Sequence, residues 1–172
     1  TGVQTCALPI FRRSRATGDV SGTGEHIGGL VGCAFAIVEN CYASGDVSGG
    51  TAVGGLIGTL PHYTAGIAGE VYKSHSWGAV SGDSDVGGLI GVLEQEGDTV
   101  CEDSFWDTQT SGQATSAGGT GKTKSEMCDI DTFTDTVATE GLDEAWDMAE
   151  ADDQDGDPLT ALWWVIDGYT RP

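Results

Sequence analysis

Positive charge is scarce in this chain. Seven Lys and Arg stand against 27 Asp and Glu over 172 residues, a formal charge of −20. Such acidity argues against nucleic acid and anionic membrane surfaces as partners. No run of 18 apolar residues occurs, so no segment reads as a membrane span. Histidine is represented only by His26, His62 and His75, each isolated, and they are expected at surface or loop positions. The H-E-x-x-H and G-x-S-x-G patterns are missing. Carboxylate pairs are too easily found by chance in an acidic chain to nominate one for glycoside hydrolysis. The expectation is a non-enzyme with no catalytic residue and no cofactor. Helical spacing at i, i+3, i+4, i+7 is found in no window.

What is abundant is glycine, 28 residues, in a repeated phrase. IGGLVG at 27–32 returns as VGGLIG at 53–58 and at 86–91. Each copy follows GDVSG at 18–22, GDVSG at 45–49 or GAVSG at 78–82, with steps of 10, 9 and 9 residues between the two phrases. Successive copies are separated by 26 and then 33 residues. Fixed-period self-similarity marks a repeat architecture whose units bury a hydrophobic face only by stacking. Aligned, the copies give columns of like residues: Val20, Val47 and Val80; Ile27, Val53 and Val86; Leu30, Leu56 and Leu89; Val31, Ile57 and Ile90. β-Branched residues dominate them and favour strands. The predicted fold is all-β: a β-solenoid, parallel β-helix-like, of three to four coils with an irregular, acidic C-terminal cap. Its columns stack at about 4.8 Å. The structural repeat residues are Gly28, Gly29 and Leu30, Gly54, Gly55 and Leu56, and Gly87, Gly88 and Leu89. Paired glycines suit corners where the chain turns sharply or another backbone comes close. LPHYTAGIAG at 60–69 is expected to bulge as a loop from one corner.

The combination NCYASGDVSG (40–49) followed by VGGLIG (53–58), repeated, resembles the GLUG motif of bacterial and archaeal surface proteins. SFWDTQTSGQATSAGGTGKTKSEM (104–127) is similar to the segment that closes GLUG arrays. The resemblance covers roughly residues 16 to 135. It implies a secreted or cell-surface, adhesin-like protein, with a cell-surface or carbohydrate ligand, within a longer chain. The repeat itself contributes no catalytic residue, and some family members carry a peptidase domain elsewhere.

Three segments are expected. Residues 1–10, TGVQTCALPI, fit nothing that follows and read as a translated sequencing adapter, which removes Cys6 from consideration. Residues 11–112 form the repeat solenoid, and 113–172 an acidic closing segment with a short helix and a last strand. Charge separates the parts: residues 1–93 carry −3 and residues 94–172 carry −17. The acidity fits a halophilic source as well as an ordinary acidic secreted protein. FRRSRATGDVSG (11–22) reads as an exposed coil end or frame-edge remnant more than a basic patch.

Residues 100–112 begin a degenerate fourth coil, with Ser104 in the column of Cys41 and Ser74, and Phe105 in that of Tyr42. Phe105 and Trp106 are expected to cap the hydrophobic column, the alternative being an aromatic platform for sugar. SAGGTGKT (116–123) nearly spells a phosphate-binding loop, but Ser116 replaces its first glycine and no buried apolar strand precedes it. A Gly-rich turn into a short helix near 123–129, capped by Thr123 or Ser125, is the better reading. Asp19 and Asp46 read as turn residues accepting backbone hydrogen bonds. LDEAWDM (142–148) suits one helical turn or a strand. In ADDQDGDP (151–158), Asp153, Asp155 and Asp157 alternate like the start of a calcium loop, a weak candidate since Gly156 is misplaced and Trp164 stands where the closing Glu belongs. Trp163, Trp164 and Tyr169 are expected to fold back over the solenoid. Cys33, Cys41, Cys101 and Cys128 match no zinc spacing and leave three disulfide connectivities or free thiols open. Two functional readings remain: a non-catalytic structural or binding module of a surface protein, or an accessory segment of a secreted peptidase or polysaccharide-active enzyme.

Overall fold

The computed structural model describes residues 9–63, 67–94, 100–150 and 163–165. The chain is mostly strand. A first pass holds β1 (Ile10–Arg12), β2 (Arg15–Ala16), β3 (Val20–Ser21), β4 (Glu25–Gly28) and β5 (Val31–Cys33). A second pass follows the same plan with β6 (Ile37–Glu39), β7 (Tyr42–Ala43), β8 (Val47–Ser48), β9 (Thr51–Gly54) and β10 (Ile57–Leu60). After the hairpin strands β11 (His62–Tyr63) and β12 (Ile67–Ala68), a third runs through β13 (Glu70–Tyr72), β14 (His75–Ser76), β15 (Val80–Ser81), β16 (Ser84–Gly87) and β17 (Ile90–Leu93). β18 (Val100–Glu102) and β19 (Phe105–Asp107) begin a fourth. Helix α1 (Thr108–Ser111) interrupts it before β20 (Thr120–Lys122).

Strands of equal position pair in parallel. Sheet I is β1-β6-β13-β18, sheet II β2-β7-β14-β19-β20, sheet III β3-β8-β15, sheet IV β4-β9-β16 and sheet V β5-β10-β17. These parallel sheets fit a β-helix. The registers bring together Val20, Val47 and Val80, Ile27, Val53 and Val86, and Val31, Ile57 and Ile90. Leu30 and Leu56 donate their amides to the carbonyls of Leu56 and Leu89, both at 2.9 Å. The 60–69 insertion differs from a plain loop: Leu60 is a buried end of β10, and β11 and β12 pair antiparallel.

The interior is divided. Val38, Val71, Ala43, Leu56, Leu89, Ile57, Ile90 and Leu60 form the larger core, and Val47, Val53 and Val80 a smaller one. Burial of each Val, Leu or Ile side chain among them stabilises by about 1.5–3 kcal/mol. Glycine sets the spacing between the walls. A Cβ on Gly28 or Gly54 would strike the carbonyl three residues on and the amide of Gly58 or Gly91 in the next pass. On Gly29 it would strike the Gly55 carbonyl, and on Gly55 the Gly88 carbonyl. A third column, Gly32, Gly58 and Gly91, lets sheet V lie against the backbone of sheet IV: a Cβ on Gly58 would come within 2.5 Å of the Ile27 amide, and one on Gly91 within 2.6 Å of the Val53 amide.

Corners use left-handed residues in register. Arg13, Asn40, Lys73 and Asp103, which follow β1, β6, β13 and β18, have φ between 46° and 55°. The residue after each corner carries a short polar side chain. Ser14, Ser74 and Ser104 donate their hydroxyls to the carbonyls of Arg12, Tyr72 and Glu102 at 3.1, 2.8 and 2.8 Å, and the Cys41 thiol donates to that of Glu39 at 3.3 Å. Each of the last three also accepts an amide from the pass before: Ser14 to Cys41 Sγ, Cys41 to Ser74 Oγ and Ser74 to Ser104 Oγ. Cys41 thus replaces a serine in a buried polar ladder. Asp19 and Asp46 work between passes too, Asp19 Oδ1 accepting the Asp46 amide and Asp46 Oδ1 the Ala79 amide, both at 2.9 Å.

The C-terminal end of the stack is closed. Trp106 faces inward, its ring lying where a Cβ on Gly88 would stand, and its Nε1 donates to the Gln113 carbonyl at 3.0 Å. Ser116 Oγ accepts the amides of Leu89 and Ile90, and Gln113 Nε2 donates to the Val80 carbonyl at 2.8 Å. Phe105 departs from the expected role: it faces outward from sheet II and joins Met127, Phe133, Leu142 and Trp146 in a separate cluster. The closing segment therefore folds back along the side of the stack, through a 3-10 turn at Glu126–Cys128, α2 (Asp131–Thr134) and an irregular stretch 135–147. LDEAWDM is irregular up to Met148, where β21 (Met148–Glu150) starts and pairs in parallel with β22 (Trp163–Val165).

Candidate binding groove

The outer face of sheet I forms a groove of about 390 Å³. Its floor follows from the pairing register, which aligns Arg12, Glu39, Tyr72 and Glu102 in one column and Ile37 with Glu70 in the next. Alternation along a strand sends these side chains outward while Val38 and Val71 enter the core. The wall is the closing segment. Asp103, 5% exposed at its left-handed corner, accepts the amides of Asp143 and Glu144 through Oδ1, and its carbonyl accepts Trp146 Nε1 at 3.0 Å. Lys73 Nζ lies 3.2 Å from Glu144 Oε2, and Arg12 Nε 2.7 Å from Glu39 Oε2. Arg12 is thereby committed to an ion pair, not to a basic patch.

Tyr72 is the centre of the groove. Its hydroxyl donates to Glu70 Oε2 at 3.3 Å. Desolvation, with the charges of Glu70, Glu102 and Glu39 around it, pushes the phenol up to about 12. The groove is thus a site of strong negative potential with one aromatic ring and the Ile37 side chain in its floor.

Other sequence candidates lie elsewhere. Gly28, Gly29, Gly54, Gly55, Gly87 and Gly88, with Leu56 and Leu89 fully buried and Leu30 partly so, belong to the interior. His75 corrects the surface expectation: it is fully buried, stacked on Tyr42 at 5.3 Å and Trp77 at 4.9 Å, under Trp146. His26 Nδ1 is paired with Thr59 Oγ1 at 2.6 Å. In SAGGTGKT, residues 120–122 are a strand, not a turn, and Lys122 is buried with Nζ donating to the Glu140 carbonyl at 2.8 Å, 5.2 Å over the Phe105 ring. Thr123 and Glu126 then form a reciprocal cap, the Thr123 amide donating to Glu126 Oε2 at 2.7 Å and the Glu126 amide to Thr123 Oγ1 at 3.2 Å. The Thr123 hydroxyl, donating to Glu126 Oε2 at 2.7 Å, and then the Thr123 amide hold the Glu126 carboxyl below its usual range.

Cys33, Cys41, Cys101 and Cys128 are free thiols, and burial pushes Cys101 up to about 12. Among the described residues no group of three or more His, Cys, Asp or Glu is placed to hold a metal ion. Asp153, Asp155, Asp157 and Tyr169 lie outside the described residues, as do the side chains of Trp163 and Trp164. Sequence reasoning did not find the groove, because its columns mix Arg, Glu and Tyr and leave no trace of like residues. It also left out Gly32, Gly58 and Gly91, whose recurrence in GGL-x-G was the available signal.

A family model for the GLUG motif matches residues 23–48, which run from the end of the first pass into the second. No curated protein and no solved structure matches the chain. The GLUG motif is a repeat found in extracellular proteins. No helix among the described residues is long and apolar enough to cross a membrane. The chain thus carries a GLUG motif at residues 23–48, on one copy of a pattern that the registers repeat.

Proposed function

We propose that the chain is a non-catalytic structural and binding module of a secreted or cell-surface, adhesin-like protein. Its passes are the coils of a β-solenoid, three complete and a fourth partial, closed by the acidic segment 113–172. One observation carries this reading: the same columns of Val, Leu, Gly and Ser recur in register from pass to pass and end at a dedicated plug. A stack of this kind is a rigid spacer whose outer faces are free to carry contacts. The groove on sheet I supplies such a face, with a cell-surface ligand as its class of partner.

The test is the sequence of the source locus across both ends of this chain. Further GGL repeats and a secretory signal, without a catalytic domain in frame, support the module. A hydrolase domain with its metal-binding or nucleophile motif in the same frame makes this segment the accessory arm of a secreted peptidase or polysaccharide-active enzyme instead. Circular dichroism in molar salt checks the fold underneath, and a helical or unfolded spectrum overturns it.

A further inference from the structure

We infer that the outer edge of the first pass is an interface, and that its occupant is one further pass of the same repeat pattern, presented by a partner chain and laid on in parallel register. The inference rests on the reading of the chain as a stacked binding module and names the partner that one end of the stack takes.

Three sets of residues on this edge carry features that, inside the stack, serve only the pass lying before them. The core columns are the first. Phe11 shares the inward register of Val38 and Val71, which are fully buried, yet it is 36% exposed. Val20, Leu30 and Val31 are half-buried, whereas Val47, Leu56 and Ile57, their partners in the second pass, are out of contact with water. The first pass thus covers the columns of the second, and its own columns lie open on the side facing away.

The polar ladders are the second. Cys41, Ser74 and Ser104 each accept an amide from the pass before, but no amide among the described residues reaches Ser14 Oγ. The amides of Asp46 and Ala79 each find the carboxylate of Asp19 or Asp46 in the pass before, and the Asp19 amide has no such acceptor among the described residues.

Glycine is the third. A Cβ on Gly45 would strike the Gly18 carbonyl, and one on Gly78 the Gly45 carbonyl, so both must be glycine for the preceding pass to lie close. Gly18 holds the same position in the first pass. It is exposed, lies outside the left-handed region, and a Cβ there would meet nothing within 4 Å. Its lack of a side chain serves no contact among the described residues and suits an incoming carbonyl.

The chain's own passes define what fits. An occupant in the same register donates an amide to Ser14 Oγ, sets a glycine carbonyl against Gly18, accepts the Asp19 amide on a carboxylate one residue later, and covers Phe11, Val20 and Leu30 with its own apolar columns. The first pass does all of this for the second. A second copy of the chain does not offer the matching surface in this direction, because Trp106, Gln113 and Ser116 occupy the far side of its last pass.

The experiment uses the full 172-residue chain and a fluorescein-labelled peptide with the sequence of residues 37–60 carrying Cys41→Ser, read by polarisation. Saturable binding is expected, with none for a peptide of the same composition in scrambled order. Hydrogen exchange of the Asp19 amide slows in the complex. Gly18→Val weakens binding by about tenfold or more, while Ser48→Val, the same bulk on an exposed outward position, changes it by less than about twofold. Phe11→Asp, at the open end of the core column, weakens it as well. Melting curves confirm that each variant is folded. Absence of saturable binding overturns the inference, and so does binding that neither edge variant weakens. A dimer of the chain alone that Gly18→Val abolishes also overturns it, by giving the face to a second copy. Repeats in frame directly ahead of this chain overturn it too, by filling the face within one polypeptide. All of these outcomes leave the module reading standing, which falls instead to a hydrolase domain in frame or a helical spectrum.

Discussion

The amide of Cys41 donates to the hydroxyl of Ser74 at 3.1 Å, across two passes of the chain and out of contact with water. Ser74→Ala leaves that buried donor without its acceptor, at a cost of about 1–3 kcal/mol. Cys41→Ser keeps both roles of the side chain and stays within about 1 kcal/mol of the parent. Chemical denaturation of the two variants separates them. Equal effects contradict the ladder.

Gly58 and Gly24 make a second contrast. A Cβ at Gly58 meets the backbone of Ile27 and Gly32, which cannot move aside without parting sheets IV and V, while nothing lies within 4 Å of one at Gly24. Gly58→Ala abolishes cooperative melting or lowers stability by more than about 3 kcal/mol. Gly24→Ala is neutral or stabilising by up to about 1 kcal/mol.

Leu56 is fully buried in the larger core. Leu56→Ala costs about 2–5 kcal/mol through lost contacts and the cavity left behind. Leu56→Asp buries an unpaired charge and yields no folded protein. An unchanged melting curve for Leu56→Asp places the residue outside the core.

Alkali weakens the fold. Cys101 and Tyr72 both titrate near 12 in the folded chain, above their ordinary values of 9.0 and 10.0. A raised value means the protonated form is favoured on folding, so the contribution is complete below the ordinary values and lost as pH climbs toward 12. Melting temperature therefore declines above about pH 9, and Tyr72→Phe flattens the upper part of that decline. A parent curve that is level to pH 12 contradicts both assignments.

Lys122 is occupied within the protein. Lys122→Met destabilises by removing the bond to the Glu140 carbonyl and the contact over Phe105. ATP with magnesium leaves the melting temperature of the parent unchanged. A protective shift that Lys122→Met abolishes revives the phosphate-loop reading of 116–123.

The interior columns were legible because a parallel stack places residues of equal position above one another. A fixed step in the sequence therefore becomes a contact. Val47 with Val80 and Ile57 with Ile90 follow from counting alone. Ser14 was not placed with Cys41 and Ser74, although it occupies their column. Asp46 was legible as an acceptor but not as one reaching into the next pass. The groove and His75 depend on the segment 123–147, which docks sideways through Phe133, Leu142 and Trp146 without periodicity. Nothing in local spacing says which outer face such a segment will cover.

Trp106 and the side chains of Gln113 and Ser116 decide what this stack cannot become. Parallel strands piled in register form a template on which an identical chain can add indefinitely, and an open lower edge would seed a fibre. Here an indole enters the core at the end of the stack, and the amides of Leu89 and Ile90 and the carbonyl of Val80 are bonded from within the chain. Growth at those positions is therefore opposed, and the same few residues that complete the core act against self-templated assembly there.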